Sequence, residues 1–332
     1  MIYQDLRVVD LTRGIAGAYC AKLLTDLGAD VVFAEPVEGP LFTYLRTSQR
    51  QATDAIRWIE AADLALVGEP GTVAAGEPLV TVSITPVGHG GPDDGLELTE
   101  EVLQARCGSL SAHGHADRTP LTVGGCVGEY VTGAFAALGA LTAWRRASRT
   151  GMAEQVDVSM LEAMQLTFVT VPTLMSRFPG GRLGTQRWVM IPGNEPTADD
   201  RYVGITTVTT AQWHALCRTM GRDDLVDDDE LTTMLGRGRR AGEVNDILQA
   251  WTRAHTAAEV VEQCAAARVP AAVVGNGAEL PAVEQLAGRD VFVHQPGAHW
   301  IRPRAPYRFH GVADRELTEI EPAHDPWSVR AA

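Results

Sequence analysis

The sequence has almost no lysine, and its cysteines and histidines form no pattern typical of a metal or disulfide site. Lys22 is the single lysine among 28 basic residues. The five cysteines are scattered without a Cys-x-x-Cys pair, and the nine histidines include no His-x-x-x-His spacing. These absences argue against a disulfide framework and against a zinc site. We therefore expect no metal centre.

Long apolar runs and an excess of basic residues are also missing. No run approaches the ~18 uncharged apolar residues of a membrane helix, and residues 1–5 carry no basic-then-apolar targeting signal. The formal charge of −14 argues against nucleic acid as a partner. It also means that local donors must hold any polyanionic ligand. We expect a cytoplasmic protein that binds neither membranes nor nucleic acid.

The residues that are present favour a soluble α/β protein with a parallel, Rossmann-like sheet. Hydrophobic residues make up 45% of the 332 and charged residues 21%, which is ordinary for a globular protein. The apolar periodicity predicts strands at 7–11, 30–35, 65–67, 79–84 and 155–158, and helices at 19–27, 53–62, 100–108, 129–146 and 160–168. This alternation is typical of parallel strands joined by helices.

The composition changes to glycine, proline and polar residues at 178–181, which indicates a crossing between domains. A second, helix-rich unit follows. The sequence predicts a large Rossmann-like domain at 1–185, a small domain at 186–284 and a C-terminal segment at 285–332 that returns to the large domain.

The turn after the first strand does not favour a dinucleotide site. Gly14-Ile15-Ala16-Gly17 lacks the G-x-G-x-x-G spacing, although Glu35 ends the second strand as a ribose-binding acid would. We therefore do not expect a nicotinamide or flavin cofactor.

Glu129 is the only carboxylate in a segment of small and apolar residues, 123–134. An acid in the first turn of a helix is stabilised by the helix dipole. The glycines that leave room for a ligand beside it are Gly124, Gly125, Gly128 and Gly133. Residue type alone favours a dipole-complementing role; a catalytic role needs support from the rest of the chain.

That support comes from blocks in a characteristic order, at residues 9–12, 16–17, 27–32, 79–84, 88–92, 104–108, 127–129, 151–160, 268–271 and 306–309. Together they span nearly the whole chain. They resemble the class III CoA-transferase family, which includes formyl-CoA transferase, carnitine CoA-transferase and α-methylacyl-CoA racemase. The resemblance implies an interlocked dimer, with CoA or acyl-CoA as substrate and no permanently bound cofactor.

The resemblance implies that Glu129 is the covalent nucleophile, at a position where the transferases have aspartate. It would attack the acyl-CoA thioester to give a mixed anhydride, then carry CoA as a thioester until a carboxylic acid acceptor collects it. Glutamate is one methylene longer, and a misplacement of about 1 Å can cost ~100-fold in rate. Amides near Gly128, Tyr130 and Gly133 are expected to stabilise the developing charge.

CoA is expected along the turn at 12–17, where the amides at the start of a helix attract anions. The residues assigned to it are Arg13, Ile15, Ala16, Gly17 and Arg50. Other family contacts are missing, because Pro36 follows Glu35 where a basic residue is usual. The side chains of Phe42, Tyr44, Trp188 and Met190 suggest apolar pocket walls, although core packing explains each of them at least as well.

Three alternatives remain beside an acyl-CoA:carboxylate CoA-transferase. A racemase would need a histidine and an acid where the chain has Thr99 and residues 208–210, so it is disfavoured. A non-catalytic or scaffolding subunit of a hetero-oligomeric pair would explain the missing CoA contacts. An enzyme acting on a carrier-protein thioester would not need the nucleotide end of CoA.

Overall fold

The computed structural model describes residues 2–69, 72–73, 78–113, 118–168, 193–313 and 315–328. The chain divides into two compact units, one of residues 1–185 with 288–332 and one of residues 186–287. Residues 285–287, expected in the returning C-terminal segment, belong to the second unit because they form a short helix there.

The strands are β1 Arg7–Asp10, β2 Asp30–Phe33, β3 Arg50–Gln51, β4 Leu64–Val67, β5 Val80–Thr85, β6 Glu154–Ser159, β7 Gly193–Pro196, β8 Tyr202–Ile205, β9 Ala271–Val273, β10 Phe292–His294, β11 Ile301–Pro303 and β12 Glu321–Pro322. The helices are α1 Ile15–Asp26, α2 Gly39–Leu45, α3 Glu100–Arg106, α4 Val127–Thr150, α5 Met160–Phe168, α6 Thr210–Thr219, α7 Met234–Arg239, α8 Ala241–Thr252, α9 Ala257–Ala266 and α10 Glu284–Ala287.

The first unit is built on a seven-stranded parallel sheet in the order β12-β3-β2-β1-β4-β5-β6. The chain moves outward from β1 through β2 to β3 and then returns to place β4 on the other side of β1. Such a reversal leaves a crevice beyond the carboxyl ends of the two central strands, where ligands bind in open α/β sheets. The predicted Rossmann-like α/β fold is confirmed.

Helices α1 and α4 pack closely because α4 presents small residues to α1. A Cβ added to Gly133 would lie 2.5 Å from the backbone oxygen of Ala16 and 3.1 Å from the amide nitrogen of Cys20. Ala136 and Ala140 continue the same buried face. This packing brings the first turn of α4, with Glu129, over the first turn of α1.

The second unit has its own core. A three-stranded antiparallel sheet, in the order β7-β8-β9, packs against helices that include α6, α8 and α9. Capping boxes start two of these helices, Thr209 with Gln212 on α6 and Thr256 with Glu259 on α9. Helices thus dominate this unit.

Several elements differ from the sequence predictions. The helix predicted at 53–62 is a short 3-10 helix, Ile56–Ala61, which begins where Asp54 accepts a hydrogen bond from the amide of Ile56. Helix α2 and the two-residue strand β3 were not predicted. Among the residues that the structure describes, no helix is long and apolar enough to cross a lipid bilayer.

The first prediction tests the contact between α1 and α4. Gly133→Ala should destabilise the protein by about 1–3 kcal/mol, because its methyl group has no space against the α1 backbone. The free energy of unfolding, measured by urea denaturation, provides the test. Gly242→Ala is the matched control, since this helical glycine in α8 has open space around it. Equal stability of wild type and Gly133→Ala would contradict the packing.

Candidate active site

The site is built on the turn between β1 and α1. Gly14 precedes the helix with φ 86°, a conformation that favours glycine, and no side chain of the turn caps α1. Asp10 holds the turn by accepting hydrogen bonds from the amide of Thr12 at 2.9 Å and from its hydroxyl at 2.6 Å. A Cβ at Gly17 would lie 1.7 Å from the Thr12 hydroxyl oxygen, so only glycine fits this turn.

Glu129 supplies the acceptor that this turn lacks. Its Oε2 accepts a hydrogen bond from the amide of Ile15 at 2.8 Å and another from the amide of Ala16 at 3.2 Å. Both amides belong to the first turn of α1, whose N–H groups have no partner within the helix. The carboxylate of one helix therefore caps the start of another, and the side chain is held in one place.

Glu100 has the same role at the start of α4. Its carboxylate accepts hydrogen bonds from the amides of Gly128 at 3.2 Å and Glu129 at 3.1 Å. Gln104 donates to it at 2.8 Å and also binds both backbone groups of Val123. The sequence analysis missed Glu100, since a contact across 28 residues leaves no signal in local spacing.

The surroundings of Glu129 change its acidity. Burial raises the pKa of Glu129, and the nearby Glu100 carboxylate raises it further, while the hydrogen bonds from Ile15 and Ala16 lower it. The net direction is upward. A carboxylate with a raised pKa and little solvation is a stronger nucleophile than one exposed to water.

An apolar cluster lies beside the carboxylate. Ile15, Ala18 and Leu45 are buried there, and the partly buried side chains packed against them are Tyr19, Phe42, Tyr44, Cys126 and Tyr130. The rings of Tyr19 and Tyr130 meet edge to face at 4.8 Å. Phe42 and Tyr44 belong to this packed apolar cluster, whereas Trp188 and Met190 lie outside the described residues.

The two arginines assigned to CoA differ in their surroundings. Arg13 is exposed on the turn between β1 and α1. Arg50 forms a bidentate pair with Asp30 at 2.9 and 2.6 Å, and its guanidinium lies over the ring of Trp58. Asp30 begins β2, so this pair lies toward the amino ends of the strands. Glu129 contacts the turn beyond their carboxyl ends, and the structure does not bring the two together.

Arg46 is a cation near the carboxyl ends of the strands that the sequence analysis did not identify. It is buried, with Nη1 2.6 Å from Asp10 Oδ2 and Nη2 3.5 Å from Glu35 Oε2. Glu35, which resembled a ribose-binding acid in the sequence, thus has a structural partner. The ion pairs of Arg46 with Asp10 and Glu35 hold the end of α2 against the ends of β1 and β2.

The amides expected to stabilise developing charge are engaged in the structure. The amide of Gly128 donates to Glu100, and that of Tyr130 donates to the carbonyl of Cys126 at 3.1 Å. Gly133 lies at the close contact with α1. In this state, the donors that reach the Glu129 carboxylate are Ile15 and Ala16, both of which the sequence analysis assigned to CoA.

The two positions where a racemase would need a base lie next to the starts of helices. Thr99 directly precedes α3. Thr209 accepts the amide of Gln212 in the capping box of α6. Neither hydroxyl titrates near neutral pH, so neither position offers a base for α-proton exchange.

The chain belongs to CoA-transferase family III, whose profile matches residues 3–62 and 65–324. A succinyl-CoA–D-citramalate CoA-transferase from Chloroflexus aurantiacus is 26% identical over 88% of this chain and 83% of that protein. A succinyl-CoA–L-malate CoA-transferase beta subunit from the same organism is 26% identical over 82% and 78%. A CAIB/BAIF family protein from Brucella suis matches with a TM-score of 0.81 and 21% identity, covering 96% and 95% of the two chains.

This membership confirms the resemblance seen in the sequence. Relatives named as CoA-transferases support an enzyme that transfers CoA and uses CoA thioesters as substrates. The fold of the Brucella suis protein agrees with the parallel α/β architecture.

The second prediction concerns the influence of Glu100 on Glu129. Glu100→Gln removes a negative charge that raises the pKa of Glu129, while the amide oxygen can still accept a bond from α4. The acid limb of the pH profile of kcat/KM should therefore move to lower pH. Glu101→Gln, an exposed neighbour in the same helical turn, is the control. An unmoved acid limb in Glu100→Gln would refute the coupling.

Proposed function

We propose that the protein is an acyl-CoA:carboxylate CoA-transferase in which Glu129 is the covalent nucleophile. The observation that carries the proposal is the partly buried Glu129 carboxylate, held by the amides of Ile15 and Ala16 at the turn after β1. The family assignment supplies the reaction class. The geometry supports the proposal with a carboxylate that is held in one place beside an apolar cluster.

The first half of the reaction transfers CoA to the enzyme. The Glu129 carboxylate attacks the thioester carbonyl, and collapse of the tetrahedral intermediate breaks the C–S bond, giving an acyl–glutamyl anhydride and CoA thiolate. The thiolate then attacks the glutamyl carbonyl, which forms an enzyme–CoA thioester and releases the first carboxylate.

The second half reverses these steps with the acceptor. Its carboxylate attacks the glutamyl thioester and expels CoA thiolate, leaving a new mixed anhydride. The thiolate attacks the acceptor's acyl carbon, so that the new acyl-CoA leaves and the Glu129 carboxylate is restored. The thioester is not hydrolysed in this sequence, since every intermediate keeps an activated acyl carbon.

The backbone of α1 would stabilise the charged intermediates. When a thiolate or a carboxylate adds to the glutamyl carbonyl, one Glu129 oxygen becomes an oxyanion. The amides of Ile15 and Ala16 already contact Oε2 of this group, so they need little rearrangement to stabilise it. The apolar cluster around Ile15 would keep water from the anhydride.

A second candidate, a transferase acting on a carrier-protein thioester, is favoured by the state of the nucleotide contacts. Arg50 is committed to Asp30, and Pro36 stands where the family usually has a basic residue. The turn at 12–17, along which CoA is expected, keeps its glycine conformation at Gly14, and the pantetheine part of CoA would follow it. Pantetheine is common to CoA and to carrier proteins, so this turn would suit either donor.

The third prediction separates these two donors. An enzyme that recognises the nucleotide should use acyl-CoA with a kcat/KM at least ~10-fold above that for the matching acyl-pantetheine, a difference of about 1.4 kcal/mol. A ratio near one would favour the carrier protein, because the nucleotide would then contribute no binding energy. The comparison uses one acyl group and one acceptor throughout.

We also propose that two chains form the interlocked homodimer implied by the family. A hetero-oligomer is the alternative, since one relative is named as a beta subunit. Interlocked chains cannot separate without unfolding, so the dimer should persist on dilution to nanomolar concentration. Sedimentation of the purified chain as a monomer would contradict this assembly.

The fourth prediction tests the nucleophile. Glu129→Gln should abolish transfer and the covalent labelling of residue 129 by acyl-CoA and hydroxylamine, measured by mass spectrometry. Glu129→Asp should be slower than wild type, because it withdraws the carboxylate from the α1 amides. Wild-type turnover in Glu129→Gln would end the assignment, and Glu101→Gln controls for the loss of one charge.

Stability provides an independent readout of the same variant. The folded-state pKa of Glu129 is raised, so its ionisation opposes folding and stability is lost as the pH rises through that pKa. Glutamine removes this cost while keeping an acceptor for Ile15. At neutral pH the Tm of Glu129→Gln should equal or exceed that of wild type, and the gain should vanish below about pH 4.

A further inference from the structure

A cavity lies at the opposite end of α1 from Glu129. Its volume is about 140 Å³, and the lining includes Arg302, Arg304, Arg315, Asp26, Tyr307 and Phe309 together with aliphatic side chains. Helix α1 has 12 residues and starts at Ile15, which contacts Glu129, while its last residue lines the cavity. Because a helix of that length spans ~18 Å, the cavity is separate from the transfer site.

Arg302, on β11, is the unusual residue of this cavity. Its side chain is buried, with a relative exposure of 3%, and its guanidinium lies 5.3 Å from the ring centre of Tyr44. Within the described ranges, Nε and Nη1 have no hydrogen-bond partner. Unpaired guanidinium N–H groups are costly in a buried place, and an acceptor that reached them would remove this cost.

The other charged side chains that are described in the cavity lining have partners other than Arg302. Asp26, the single acid among the described lining residues, pairs with the buried Lys22. Arg304 donates to the backbone carbonyls of residues 289, 290 and 305, and Arg315 donates to those of residues 25, 29 and 48. These carbonyls are neutral acceptors. Among the described lining residues positive charge is therefore in excess, in a chain whose formal charge is −14.

We propose that this cavity binds a small organic anion, with a carboxylate or phosphate group against Arg302 and an apolar portion against Tyr307 and Phe309. Guanidinium groups are suited to both kinds of anion. Aromatic and aliphatic side chains line the rest, so a purely inorganic ion would leave much of the space empty. A protein cavity of ~150 Å³ holds one benzene ring, which limits the ligand to roughly six to ten non-hydrogen atoms.

Calorimetry with two probes tests the proposal on the full-length protein. Benzoate supplies a carboxylate on a ring, inorganic phosphate supplies the other head group, and benzamide is the uncharged control. Benzoate should bind saturably and benzamide should not. Saturation by phosphate alone would identify a phosphate compound as the ligand, and absence of saturable binding by both anions would overturn the proposal.

Variants locate the binding site. Arg302→Met keeps a long side chain but removes the charge, so it should weaken binding by about 10- to 100-fold. Arg308→Met is the matched control, because this exposed arginine lies in the same segment, pairs with Asp290 and does not line the cavity. Undiminished binding by folded Arg302→Met would refute the assignment.

A second variant guards against misfolding of the first. Val312 lines the cavity and is 37% exposed, so Val312→Trp should fill the space from its rim without removing a charge. Benzoate binding should be lost while the Tm is unchanged.

Two further measurements test whether benzoate binds at the transfer site instead and whether a second copy of the chain fills the cavity. Benzoate should still bind to Glu129→Gln in the presence of saturating acyl-CoA; competition by acyl-CoA would place it at the transfer site. This result does not depend on whether Glu129 is the nucleophile. If Arg302→Met instead lowers the stability of a dimer and no probe binds, a second copy of the chain fills the cavity and the proposal fails.

Discussion

The geometry of the site depends on the amide groups at the starts of two helices. Neither α1 nor α4 has a capping side chain at its own N-cap position, and unpartnered amides near a buried helix start cost free energy. Glu129 caps α1 and Glu100 caps α4. The two carboxylates thereby connect α3, α4 and α1, and they place Oε2 of Glu129 at the turn after β1.

This arrangement has two opposing effects on the acidity of the Glu129 carboxyl group. Burial beside an apolar cluster raises the pKa of Glu129, while two amide donors keep the ionised form accessible. The close packing at Gly133 sets the distance between the helices. At this distance the glutamate side chain reaches from α4 to the amides of α1. The transferases that the sequence resembles have the shorter aspartate at this position.

The sequence predicted the features that depend on local pattern. Buried strands such as β4 read as short apolar runs, and the start of α5 at Met160 was predicted. Features that depend on distant contacts were missed. Strand β3 has two residues and exists only through its neighbours in the sheet, and the bond from Glu100 to α4 links residues far apart in the chain. The order of the family's sequence blocks pointed to Glu129, but the groups that hydrogen-bond to it could not be predicted from the sequence.

Arg50, which the sequence assigns to CoA, also has a role in the fold. Asp30 accepts both hydrogen bonds of Arg50 and one from the indole of Trp327 at 2.7 Å, so it ties the C-terminal segment to β2 and β3. If Arg50 keeps this partner when substrate binds, the turn between β1 and α1 is left as the place that we propose for the thioester. Recognition would then rest on pantetheine and the acyl group. The binding energy would be concentrated next to Glu129, where it can contribute to the transition state rather than only to affinity.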